Sequence, residues 1–163
     1  PLQAEYRSIQ SLVSQLYRQT QEVHKFACVT VQSTLVEKVI SMLRRTMQVK
    51  CDPKRKDDPT LVRHIYDIHC INIDRQLDFE DLIPLFQIVL QEDVSRFGNQ
   101  HSEFVINPIQ KLQLGLKELE SNPLHYQRFT NFVIPMVFNT ERPNFDTCFA
   151  SFKNVAQSLM INN

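Results

Sequence analysis

"TLVEKVISMLRR" at residues 34–45 and "LVRHIYDIHCI" at 61–71 are the stretches whose reading decides the fold. In the first, Leu35, Val36, Val39, Ile40 and Leu43 recur at the helical period, and Met47 continues the stripe. Thr34, Lys38, Ser41 and Arg45 form a polar strip beside it. In the second, Arg63 and Asp67 stand four residues apart and His64 and Asp67 three, so both basic groups can reach one carboxylate. Two readings stay open. Lys38 and Asp67 are surface charges, a snorkelling lysine and an exposed pair worth roughly a few tenths of a kcal/mol. Alternatively, the intervening segment folds the two helices antiparallel and directs both side chains into one concavity.

Composition narrows the class. A chain of 163 residues holds one substantial core, so a single domain is expected over 1–163. Two glycines, Gly98 and Gly115, leave little material for phosphate-cradling loops or tight hairpins, which favours helices. Eighteen basic residues balance eighteen acidic ones, so no global field draws the chain to nucleic acid or an anionic membrane. The one markedly basic stretch runs from Arg44 to Arg63, with seven basic residues against three acidic. Cys28, Cys51, Cys70 and Cys148 form no Cys-x-x-Cys pair, follow no signal sequence and read as reduced intracellular thiols. No metal site is expected from them. The apolar run "LIPLFQIVL" at 82–90 is too short to span a bilayer, so no membrane partner is expected.

The remaining segments read mainly as α. Tyr6, Ile9, Leu12, Val13, Leu16 and Tyr17 predict a helix over 3–20, and "FACVTVQ" at 26–32 predicts a short strand. Ser33 or Thr34 with Glu37 predicts a capping box for the helix that runs to about Met47. An exposed loop follows at 50–60, then helices over about 60–72 and 81–97, a polar break at 98–102 and a weaker helix over 108–120. Two further helices follow, one in "PLHYQRFTNFVIPMVF" and one opened by Asn144 with Phe145, Phe149, Phe152 and Val155 inward. The acids of "LDFEDL" at 77–82 have no glycine turn before them and a helix after them, so they read as a helix N-terminus rather than a metal cluster.

"TLVEKVISMLRR", then "VRHIYDI" after a basic loop, then "HYQRFTNFVIPMVFNTERPNFDTCFASFKNV" together resemble the C-terminal part of the AbiEii-type nucleotidyltransferase-like toxins. The resemblance runs from about Phe26 to Asn163. It implies a helical bundle at 33–163, with residues 1–32 and the strand near 26–32 as the tail of an N-terminal nucleotidyltransferase core. That core's Gly-Gly-Ser/Thr turn and Asp-x-Asp pair do not occur here, so residues 1–163 alone are expected to be inactive. For a complete protein it implies transfer from a nucleoside triphosphate with Mg²⁺ to the 3′ end of tRNA, a cognate antitoxin as partner and a cytoplasmic location. It places the family's lysine on Lys38 and its aspartate on Asp67 as catalytic residues, with Arg63, Arg45 and His64 contacting nucleotide or acceptor. The rival expectation is a non-catalytic helical module that binds a partner protein or RNA.

Overall fold

The computed structural model describes residues 4–100, 102–138, 141–142 and 144–161. The chain divides into two units between Thr34 and Leu35.

In the first unit, strand β1 (Ala4–Ile9) pairs antiparallel with β2 (Val23–Val29), Ala4 opposite Val29 and Ile9 opposite Val23. Between them lies α1 (Leu12–Leu16). The helix expected over 3–20 is therefore corrected to a strand and one short helix, with Gln3 outside the described residues. Its apparent helical face is overruled by two interactions. Ladder pairing with β2 satisfies the β1 backbone, and Glu22 breaks the segment at Ser11. The Glu22 carboxylate accepts from the Ser11 amide at 2.9 Å and the Ser11 hydroxyl at 2.5 Å, and also from the Ser14 hydroxyl. Ser11 is thereby fixed as an N-cap, accepting from the Ser14 amide. Hydrogen bonds from Ser11 first, then Ser14, hold Glu22 at a pKa of about 2. Leu12, Leu16 and Tyr17, expected on a buried face, are exposed.

The strand expected at 26–32 occupies Val23–Val29 instead, and α2 (Val31–Cys51) begins before the expected capping box. Thr30 is the reason: its hydroxyl accepts from the Ser33 amide at 3.1 Å, while Thr34 donates back to the Thr30 carbonyl at 2.9 Å. A helix thus starts three residues early.

In the second unit, α2 buries Leu35, Val36, Val39, Ile40, Leu43 and Met47, the full expected stripe, and also Met42, Arg44, Thr46 and Gln48. It is a central helix, not a surface one. The loop after it ends in a 3₁₀ turn (Pro59–Val62) capped by Asp58, which leads into α3 (Arg63–Asp74). Asp78 then caps α4 (Phe79–Phe97), with Glu80 and Asp81 in its first turn, as the acids of 77–82 foretold. The break at 98–102 contains a 3₁₀ turn (Gly98–Gln100) and the start of a short helix, α5 (Ser102–Ile106), with His101 outside the described residues. Asn107 caps α6 (Pro108–Ser121) and Asn122 caps α7 (Pro123–Arg128).

The next segment is one helical path with a defect. A π-helical turn (Phe129–Val133) separates α7 from α8 (Ile134–Met136). Pro135 has no amide hydrogen to give the preceding turn, and a π insertion accommodates that loss. Residues 139, 140 and 143 of the quoted C-terminal motif lie outside the described residues. Asn144 caps α9 (Phe145–Met160), which buries Phe145, Phe149, Phe152 and Val155 as expected. Phe145 stacks on Phe149 at 5.4 Å and meets Phe129 edge-on at 5.5 Å. His69 on α3 hydrogen-bonds Ser151 on α9 at 2.9 Å, with burial lowering the His69 pKa.

Gly115 sets the approach of α6 to α2. A Cβ there would stand 2.5 Å from the Leu43 carbonyl oxygen, a backbone atom that cannot swing away. Gly115→Ala is therefore expected to lower stability by about 1–3 kcal/mol through overpacking. Equilibrium denaturation checks this; an alanine variant as stable as the wild type would mean that α6 can retreat from α2.

Candidate functional site

The helical period fixes where Lys38 stands. With Leu35, Val39 and Met42 turned inward, Lys38 emerges at the border of the buried stripe, its side chain 25% exposed. On α3, Ile65 and Ile68 are buried, which turns His64 and Asp67 along one edge. The Lys38 ammonium donates to Asp67 Oδ2 at 2.7 Å. His64 Nδ1 lies 3.4 Å from that ammonium and 3.6 Å from Asp67 Oδ2. It serves one neighbour at a time: unprotonated it accepts from Lys38, protonated it donates to Asp67.

Burial is the largest single influence on Asp67 and opposes its charge. Hydrogen bonds from His64 and Lys38, with the charges behind them, outweigh it and leave the pKa below the ordinary carboxylate value. An ammonium has three N–H donors. One points to Asp67 and a second is within reach of His64, so a third remains for an anionic oxygen.

Arg45 and Arg63 do not join this group. Arg45 donates to Asp58 Oδ2 at 3.1 Å, and Asp58 also accepts from the Thr60 amide at 3.0 Å and hydroxyl at 2.6 Å. Arg63 donates to the Thr60 hydroxyl at 2.7 Å, so its expected reach toward Asp67 is replaced by a contact with its own N-terminal turn. A cavity of about 720 Å³ is lined by Ser41, Arg45 and residues further along α2, and Lys38 and Asp67 are not among its walls. Seven residues of helix separate Lys38 from Arg45, about 10 Å along the axis, which is enough to divide one polar strip between two places.

That cavity gathers residues with no sequence signal of their own: Gln48, His125 and Arg128, beside Arg55 and Lys56 of the basic loop. Arg128 is paired with Asp57 and Lys50 with Glu118, whereas the Arg55 side chain is bonded to the neutral amide of Gln100 and to no carboxylate among the described residues. Burial lowers the His125 pKa, and the Arg128 charge adds to that.

Mg²⁺, implied by the resemblance, was tested against the side chains present. Among the described residues no three of His, Cys, Asp or Glu are grouped to hold a metal ion, and Asp67 is already engaged by Lys38. The described residues therefore do not fit the ion. Among them, no helix is long and apolar enough to cross a membrane.

Comparison with models of known families matches residues 1–151 to the family described as "Nucleotidyl transferase AbiEii toxin, Type IV TA system". No curated protein and no solved structure matches the chain.

Because the folded pKa of Asp67 lies below its ordinary value of 3.8, its contribution to stability is present above that value and is lost as pH falls through the lowered one. Lys38→Ala removes one of the two donors while burial remains. The Asp67 carboxyl is then expected to titrate at higher pH than in the wild type, followed by carboxyl-carbon NMR. An unmoved Asp67 titration would mean that the ammonium does not hold it in solution.

Proposed function

Because the chain belongs to the AbiEii nucleotidyl transferase toxin family, we propose that it is the helical C-terminal half of such a toxin, with Lys38 facing the triphosphate and Asp67 holding it there. The observation that carries the reading is the 2.7 Å contact between Lys38 and Asp67, made across two helices and leaving one ammonium donor free. Nucleotidyl transfer breaks a phosphoanhydride bond, and negative charge gathers on the departing pyrophosphate. A fixed ammonium stabilises that charge more in the transition state than in the ground state. Asp67 keeps the lysine in one rotamer, and His64 beside the pair can take or return a hydrogen bond as the ammonium shifts toward phosphate.

Residues 1–32 are assigned to the end of the nucleotidyltransferase core, and 33–163 to the bundle that closes over its nucleotide. Mg²⁺ belongs with the Asp-x-Asp pair of that core. Arg45, Arg63 and the loop at 50–56 supply contacts to nucleotide or to an RNA acceptor, with the 3′ end of tRNA as the acceptor of choice. A cognate antitoxin is the expected protein partner and the cytoplasm the expected location. A non-catalytic interaction module is the rival reading, favoured by the exposed Leu124, Tyr126, Met136 and Phe138.

The test uses the natural full-length protein, Mg²⁺, labelled nucleoside triphosphates and total tRNA. Lys38→Ala and Asp67→Ala are each expected to cut transfer by on the order of a hundredfold with unfolding midpoints near the wild type, the loss expected for one preorganised charged contact. Residues 1–163 alone are expected to transfer nothing. Full activity in Lys38→Ala, or a wild type that binds a partner but transfers no nucleotide, would favour the interaction module.

A further inference from the structure

We propose that the cavity along the second half of α2 is a binding site for a nucleotide, separate from the Lys38 and Asp67 pair. Three observations on that cavity converge. Its volume of about 720 Å³ falls within the range of small-molecule sites, roughly 300–1,000 Å³. Its walls include Gln48 and His125, which are 4% and 7% exposed. The Gln48 Nε2 and His125 Nδ1 atoms are buried and have no hydrogen-bond partner among the described residues. Leaving a buried polar group unmade costs about 1–3 kcal/mol, so two such atoms on one cavity point to a partner.

The chemistry of that partner follows from the rest of the wall. Gln48 Oε1 is already committed to Arg44 at 3.0 Å, so the amide has only its N–H₂ end to offer. It seeks an acceptor, and a base carbonyl or ring nitrogen supplies one. The His125 ring edge adds a donor or acceptor beside it. Among the described residues, Arg55 of the same wall is bonded to a neutral amide and Lys56 has no partner, so neither cation is matched by a carboxylate. Those two charges suit a phosphate. Leu61 and Val62 add apolar wall to the same cavity, against which a base or sugar can pack. The choice of a nucleotide over another phosphate ester rests on the nucleotidyl-transfer reading; the site itself does not.

Free nucleotide and the terminal nucleotide of an RNA share this chemistry, and titration separates them. In the full-length protein, nucleoside monophosphates, a short single-stranded RNA, glucose 6-phosphate and inorganic phosphate are each titrated by calorimetry. Saturable binding of a monophosphate or of the RNA is expected, with the tighter of the two identifying the source. Arg55→Gln with Lys56→Gln, and separately Gln48→Met, are each expected to weaken it at least tenfold. Circular dichroism and the unfolding midpoint check that each variant keeps its fold. Absence of saturable binding, affinity unmoved by both variants, or inorganic phosphate binding as tightly as the nucleotide would overturn the site. Glucose 6-phosphate outcompeting every nucleotide would overturn the nucleotide assignment. Binding that survives while transfer proves independent of Lys38 would uphold the site and remove only the reading under "Proposed function".

Discussion

Everything in the helical unit answers to one constraint: α2 is buried on most of its circumference and yet carries four cations, Lys38, Arg44, Arg45 and Lys50. Each of them meets a carboxylate from a different part of the chain, Asp67 of α3, Asp93 of α4, Asp58 of the loop before α3, and Glu118 of α6. Apolar burial drives the helices onto α2, but it is non-directional. The ion pairs are directional, and they fix which turn of α2 faces which neighbour.

These pairs are not equal in energy. Arg44 and Asp93 are the most buried, at 2.6 Å, with the Arg44 guanidinium also lying over the Phe97 ring at 4.2 Å. Burial is the largest influence on both, pushing the Arg44 pKa down and the Asp93 pKa up despite their mutual attraction. That is the behaviour of a pair whose desolvation cost rivals its Coulombic gain, so it contributes register more than stability. Lys38 and Asp67 are the opposite case. They are partly exposed, weakly stabilising and open to a third charged group, which is what a site requires of a pair. Gln48 stands between these cases: its oxygen is held by Arg44, its nitrogen by nothing among the described residues.

What the sequence makes legible follows from the range of the forces involved. The apolar stripe of α2, the inner face of α9, the cap at Asn144 and the acidic start of α4 rest on local periodicity, side-chain-to-backbone bonds and the helix dipole, and each stands where the residues foretell it. The β1 strand was not legible as such. Tyr6 and Ile9 fit a helical step, and only pairing with β2, some twenty residues away, together with Glu22 reaching Ser11, decides the matter. Within the site, Lys38 and Asp67 sit on opposed polar strips, so their meeting could be anticipated, whereas Arg63 yields to a nearer hydroxyl at Thr60. Arg44 carried an unused signal, a charge placed between Ile40 and Met47 on the buried side of the helix, which calls for a buried partner. His125 and Gln48 carried none, since their surroundings come from segments distant along the chain.

The functional reading turns on whether the ammonium of Lys38 acts on a ligand or merely clamps α2 to α3. Family membership makes the first natural, and the geometry permits both. Exchanging the two charges separates them. In full-length protein carrying Lys38→Asp together with Asp67→Lys, an ion pair between the helices can re-form while the cation leaves its place. The expected result is an unfolding midpoint near the wild type and nucleotide transfer as low as in Lys38→Ala. Recovery of wild-type transfer in the exchanged protein would contradict the claim and leave the pair with a structural role alone.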